Sequence, residues 1–296
     1  TPDMNTFLDL PSASMDEADV ILLPLPFEGT ASYGKGTARG PAAILDASRQ
    51  VETLDEETGF ELDKLAYCWA EEIQPAENQK PERYLETVLE SATLAHEHRG
   101  FVFGIGGEHS LTAPLARAAA GEDSLGDLTV VQFDAHADLR KSYEGSSSSH
   151  ACVMRGLLDR GASVLAIGIR SLSSEELDHG QAHDRWEPYF ARELHQENGA
   201  EVRLLDRLEK LRGRVYLTID VDCLEVSLAP GTGTPEPGGL RWWQTLSYLR
   251  ALLRPSPDKA VLGADITEAA PMEGSRVNEF TAARLICKLI AYLHQP

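Results

Sequence analysis

Short apolar runs alternate along the chain with longer segments in which apolar residues recur at helical spacing, and this alternation predicts the fold. Val20–Leu25, a weaker run at Leu65–Trp69, Phe101–Ile105, Leu128–Phe133, Ser163–Ile169, Val215–Ile219 and Ala260–Ala264 read as strands. Helices are predicted from Pro41 to about Val51, Pro81 to about His98, Ser110 to Ala120, onward from about Ala151, Arg241 to Leu253, and Arg276 to Leu293. Pro41 and Pro81 open their helices, where a missing N–H costs nothing. Leu85, Val88, Leu89 and Leu94 mark the apolar stripe of the second helix. The polar stretch 173–210 reads as two helices. Near-continuous apolar strands separated by helices imply an α/β fold with a mainly parallel central sheet covered on both faces. With no internal repeat, low-complexity tract or linker, residues 1–296 read as a single domain.

Composition narrows the partners. The 296 residues, 42% hydrophobic and 25% charged, suffice for a large core. A net charge of −20 without a Lys/Arg cluster repels phosphate backbones, so no nucleic-acid partner is expected. No apolar run approaches the roughly 20 residues of a membrane span. Thr1 to Asp19 is polar and acidic, unlike a signal peptide, so a cytoplasmic location is expected. Cys68, Cys152, Cys223 and Cys287 are widely separated and read as reduced thiols.

Candidate chemistry gathers at the strand ends, where open α/β sheets bind ligands. His109 follows the third run. Asp134, His136 and Asp138 follow the fourth at alternate positions, which in extended chain share one face. Asp220 and Asp222 repeat that spacing after Val215–Ile219, and Asp265 and Glu268 follow Ala260–Ala264. Taken singly, each has a plainer reading: a chance spacing, a helix-start histidine, a solvated loop or an ion pair. Together, four aspartates and two histidines match in number and type two divalent ions sharing a carboxylate. Oxygen and imidazole donors without thiolate suit Mn(II), with Zn, Fe, Co or Ni as alternatives. A metal pair lowers the pKa of water and supplies hydroxide at neutral pH.

The motifs themselves carry a resemblance. Gly106-Gly107-Glu108-His109-Ser110, Phe133-Asp134-Ala135-His136-Ala137-Asp138, and Thr218-Ile219-Asp220-Val221-Asp222 leading to Ala229-Pro230-Gly231-Thr232-Gly233-Thr234-Pro235-Glu236-Pro237-Gly238-Gly239 resemble the arginase/agmatinase (ureohydrolase) family. Ser32-Tyr33 and Gly36-Thr37-Ala38-Arg39-Gly40-Pro41 match as well, so the resemblance runs from about residue 20 to the last helix. It implies a three-layer α/β/α fold and two Mn2+ per chain. One ion would be held by His109, Asp134, Asp138 and Asp220, the other by His136, Asp134, Asp220 and Asp222. It further implies attack of hydroxide on a guanidinium carbon, with Asp138 passing a proton to the leaving nitrogen. Glu268 corresponds to the carboxylate that pairs with the guanidinium, and His150, in Ser149-His150-Ala151-Cys152, to an acid/base histidine at the pocket mouth. Family members are commonly homo-oligomers, trimers or hexamers.

The small cationic guanidino substrate implied is agmatine, cleaved to putrescine and urea in polyamine biosynthesis. Arginases carry asparagine two residues after the last aspartate of the second motif; Arg140 stands there. A cation at that place leaves open a carboxylate-bearing substrate such as guanidinobutyrate or formiminoglutamate. If Arg140 pairs with an internal acid, Glu144 becomes the candidate for the distal ammonium, and aminopropylagmatine stays open as a longer substrate. A non-catalytic metal-binding scaffold would be favoured by a missing ligand, and a deacetylase of similar fold by a single zinc site. Cys223 and Glu225-Val226-Ser227 depart from the family's third motif beside the ligands, a change expected to be tolerated.

Overall fold

A computed structural model describes residues 6–121 and 125–294; the ends of the chain named in the single-domain reading, including Thr1, lie outside them. Eight strands form one sheet: β1 (Val20–Leu25), β2 (Tyr67–Trp69), β3 (Phe101–Gly106), β4 (Leu128–Phe133), β5 (Ser163–Ile169), β6 (Trp186–Phe190), β7 (Gly213–Asp220) and β8 (Lys259–Thr267). Their order is β2-β1-β3-β8-β7-β4-β5-β6. Every neighbouring pair is parallel.

Alternation along the strands divides the core in two. Val131 and Phe133 of β4 and Leu217 of β7 point to one face, where Ile44, Leu204, Leu246 and Leu285 cover them. These come from helices α1 (Gly40–Ser48), α7 (Ala200–Glu209), α8 (Trp242–Leu253) and α9 (Val277–His294). Val130 and Tyr216 point to the other face, beneath Val88, Leu115 and Met154. Those belong to α2 (Pro81–Ala95), α3 (Thr112–Ala120) and α4 (Val153–Leu158). The result is the three-layer α/β/α sandwich expected of strands apolar on both sides.

Two expectations change. Residues 173–210 hold α5 (Ser174–Gln181), α6 (Ala191–Gln196) and α7, with strand β6 between α5 and α6. As an edge strand β6 is mostly half-buried and accommodates Pro188, so it shows neither an apolar run nor clean alternation. On α2 the buried stripe is Tyr84, Val88, Ala92 and Ala95, while Leu94 is 59% exposed. The four cysteines are buried and free. Among the described residues no helix is long and apolar enough to cross a membrane.

Candidate active site

The four central strands, β3, β8, β7 and β4, are neighbours, so the loops leaving their C-terminal ends converge. Gly107 makes the first of these junctions possible. A side chain there would strike the Phe27 carbonyl at 1.9 Å, while its backbone accepts the Glu268 N–H at 2.7 Å and donates to Leu25 at 2.8 Å. Three strand ends are thereby locked together.

The structure brings His109, Asp134, His136, Asp138, Asp220 and Asp222 into one cluster. The Nδ1 of His109 lies 2.9 Å from Asp138, 3.0 Å from Asp134 Oδ2 and 3.6 Å from Asp220. The Nδ1 of His136 lies 2.9 Å from Asp222 and 3.7 Å from Asp134 Oδ1. Asp134 thus turns one oxygen to each imidazole. All but His136 are buried.

Surrounding hydrogen bonds aim these groups. His109 Nε2 is 2.9 Å from the Thr218 hydroxyl, whose own proton goes to Asp265 at 2.6 Å. Nε2 must therefore donate, which leaves Nδ1 as a lone pair facing three carboxylates. That Nδ1 is buried and, among the described residues, no hydrogen bond is aligned on it. A lone pair and carboxylates this close repel unless a proton or cation lies between them. For His109, burial opposes protonation, but Asp134 and Asp138 push its pKa well above the ordinary value. Burial, with repulsion from Asp222, Asp134 and Glu268, pushes Asp220 far up, while Asp134 is held low because the two histidines outweigh its burial. The donor set fits two divalent ions. Gln132 donates to Asp134 at 2.7 Å, and Ala135 N–H to Asp222 at 3.0 Å. Cys223 lies beside the cluster, but burial and the Asp222 charge keep it a thiol.

Two of the carboxylate positions are strained. Asp138 and Glu268 have φ of 52° and 64°, in the left-handed region that costs non-glycine residues about 1–3 kcal/mol.

Beyond the cluster opens a cavity of about 320 Å³ lined by Arg140, Tyr143, His150, Glu176, Glu236 and Glu268 among others. Glu268 accepts the His109 N–H at 2.8 Å, and burial and the nearby Glu108 push its pKa up to about 8. His150 Nδ1 is 3.2 Å from the Thr30 hydroxyl, which donates to buried Glu108 at 2.6 Å. His150 Nδ1 therefore carries the proton and Nε2 remains an acceptor. Burial and the positive charge of His109 and His136 hold its pKa down at about 4, so it is neutral at pH 7.

Sequence reasoning missed part of this set. Glu108 and Thr30 gave no signal beyond Glu108 lying inside the first motif. Asp265 was expected in a loop, yet β8 continues through it, and its carboxylate is fully buried among Thr112, Tyr216 and Thr218. Glu144 is corrected: it sits exposed in a turn, outside the cavity lining. The acids of the cavity wall are Glu176 and Glu236. Glu176 is engaged with the Leu139 and Ser173 N–H groups. Arg140 lies 3.8 Å from it and 5.2 Å over the Tyr143 ring. The Glu236 carboxylate has no partner among the described residues, whereas its backbone is fixed by Arg170, which also grips the Asp222 carbonyl.

A parallel α/β/α sandwich carrying two imidazole–carboxylate sets at its central strand ends defines a metal-dependent hydrolase. The model of the arginase family matches residues 18–292. An N(1)-aminopropylagmatine ureohydrolase of Synechocystis is 39% identical over 94% of this chain and 90% of that protein. An agmatinase of Pyrococcus horikoshii is 33% identical over 96% and 95%. Among solved structures, the agmatine ureohydrolase of Thermoplasma volcanium superposes with a TM-score of 0.81 at 27% identity, covering 96% of this chain and 92% of that one. The chain belongs to the arginase family, and it is a metal-dependent amidinohydrolase of the ureohydrolase type.

Proposed function

We propose that the chain acts as one ureohydrolase domain that releases urea from agmatine-type guanidino amines, with aminopropylagmatine ahead of agmatine. The observation that carries the chemistry is the split Asp134 carboxylate, one oxygen toward His109 and the other toward His136. His109, Asp134, Asp138 and Asp220 would hold one ion; His136, Asp134, Asp220 and Asp222 the other. A bound pair of Mn(II) ions supplies hydroxide at neutral pH, and the all-oxygen-and-imidazole donor set suits manganese.

The chain's own residues orient the substrate and move protons. Glu268, destabilised as an anion by burial, regains its charge when a guanidinium fork docks against it, and that pairing fixes the carbon for attack. Asp138 projects between the cluster and the cavity and passes a proton to the leaving nitrogen. His150, neutral with Nε2 free, is placed to relay a further proton from solvent to the product amine.

Charge in the cavity favours a cationic tail. Arg140 lies against Glu176 and the face of Tyr143, so part of its charge is already offset within the cavity wall. Glu236 sits three residues beyond Gly233, where a Cβ would lie 3.6 Å from Glu268. Its carboxylate is the group available to a distal ammonium. The Synechocystis relative, named for the longer amine, supports the same ranking. Urea release from manganese-loaded protein offered agmatine, aminopropylagmatine and guanidinobutyrate, with formamide release from formiminoglutamate measured beside it, tests the reading. Glu236→Gln should raise KM for the two amines about tenfold, the loss of roughly 1.4 kcal/mol, with kcat little changed. Preferred turnover of the carboxylate substrates would overturn it.

A further inference from the structure

Away from the active centre, Asp159, His179 and His183 stand together on the surface side of α4 and α5, with ligand atoms all within 4.8 Å of one another. Asp159 follows the last residue of α4. His179 is in the last turn of α5, and the turn continues through a His183 N–H to Gly180 bond of 3.0 Å. The two histidines are therefore four residues apart on one face.

The spacings do not describe hydrogen bonds. Nε2 of His179 is 3.5 Å and Nε2 of His183 is 4.0 Å from the same oxygen, Asp159 Oδ1, and the rings are 4.5 Å apart. Among the described residues the buried Nε2 of His179 has no hydrogen-bond partner. Nitrogen and oxygen ligands about 2.0–2.1 Å from a tetrahedral Zn(II) stand about 3.4 Å apart, so small side-chain rotations bring these three atoms to ligating positions. Burial, Arg155 and His183 together lower the pKa of His179, which supports a neutral ligand. Arg155, 3.6 Å from Oδ2, lies against the other oxygen of Asp159 and leaves Oδ1 to the histidines.

We propose that Asp159, His179 and His183 form a second, independent site for a Zn(II)-like divalent cation, with water at the fourth position. The ion would tie the end of α4 to the end of α5. Both helices start at the substrate cavity: α4 directly after the His150–Cys152 turn, and α5 at Ser173, whose capping box is closed by Glu176. The site is thus a clamp on the cavity wall, and its existence does not depend on which guanidino compound is cleaved.

The test is zinc uptake by manganese-loaded enzyme, with manganese content measured in the same samples. Wild type should take up one zinc equivalent more than the double variant His179→Gln/His183→Gln at unchanged manganese content. The variant should keep its urea-releasing activity, since neither histidine touches the cavity. His183→Gln alone, a more exposed change, should weaken the extra equivalent at least tenfold. Crystals soaked in zinc should show anomalous scattering between the three side chains. Equal zinc uptake by wild type and both variants, or no anomalous signal there, would overturn the proposal.

Discussion

Replacing Asp138 by asparagine should make the metal-free protein more stable and the metal-loaded protein less so. Asp138 is buried, and burial together with the Asp134 charge pushes its pKa up to about 7. Because the folded value lies above the unfolded one, near 3.9, the penalty is absent at low pH and grows as pH rises between the two values. At 1.36 kcal/mol per pH unit over about three units, the ceiling at neutral pH is about 4 kcal/mol. Coupling to Asp134 and His109 shares that cost, so a gain of several degrees in Tm is expected, at roughly 2–4 °C per kcal/mol for a chain of this size. Asparagine also suits the φ of 52° at this position, but that benefit is independent of pH. Calorimetry in chelator should show the variant ahead of wild type at pH 7 and the gap narrowing toward pH 4. With manganese at 100 times its Kd, wild type should gain about 2.7 kcal/mol per ion, and the variant much less. A variant less stable than wild type in chelator, by an amount that does not vary with pH, would refute the electrostatic reasoning.

Three further outcomes follow from other contacts. Thr218→Val removes the acceptor that sets the His109 tautomer and should weaken metal binding about 10- to 100-fold, read by titration against a competing chelator. His150→Ala should lower kcat by about 10²–10⁴ while metal content, measured by elemental analysis, stays that of wild type. Lys288, fully buried and 2.8–2.9 Å from Asp55, Glu56 and Glu57, holds the turn 55–57 against α9. Lys288→Met leaves buried Asp55 without its cation, while Glu56 keeps Arg284 and Glu57 keeps Arg250 and Tyr292, and should cost about 3 kcal/mol in denaturant unfolding.

The convergence of side chains at the end of β4 was readable from sequence because strand geometry is periodic: alternate residues at a strand end share a face, so Asp134, His136 and Asp138 meet without knowledge of the rest of the fold. Their partners from β3 and β7 were readable through the rule that ligands collect at carboxyl ends. The distal cavity was not. Glu144 is near Arg140 in sequence but turns away to solvent, whereas Glu176 and Glu236 reach the cavity from α5 and from the loop after β7. Chain proximity carries no information about which acid a loop presents across a pocket. Strand β6 escaped for a related reason, since an edge position relaxes the patterning that reveals central strands. Asp265 shows the same limit at short range: β8 continues past Ala264 to Thr267, which converts an expected loop acid into a buried anchor for Thr218.

Urea release from guanidino amines, as proposed, requires both a two-ion cluster and a cation-reading cavity. The most direct measurement is urea formation by protein stripped of metal and reloaded with manganese, assayed alongside its metal content and with Asp220→Asn as control. The expected result is two ions per chain and urea from aminopropylagmatine and agmatine, with metal content and urea formation both lost in the variant. Two bound ions without urea from any guanidino compound, or urea formation undiminished in stripped protein, would contradict it.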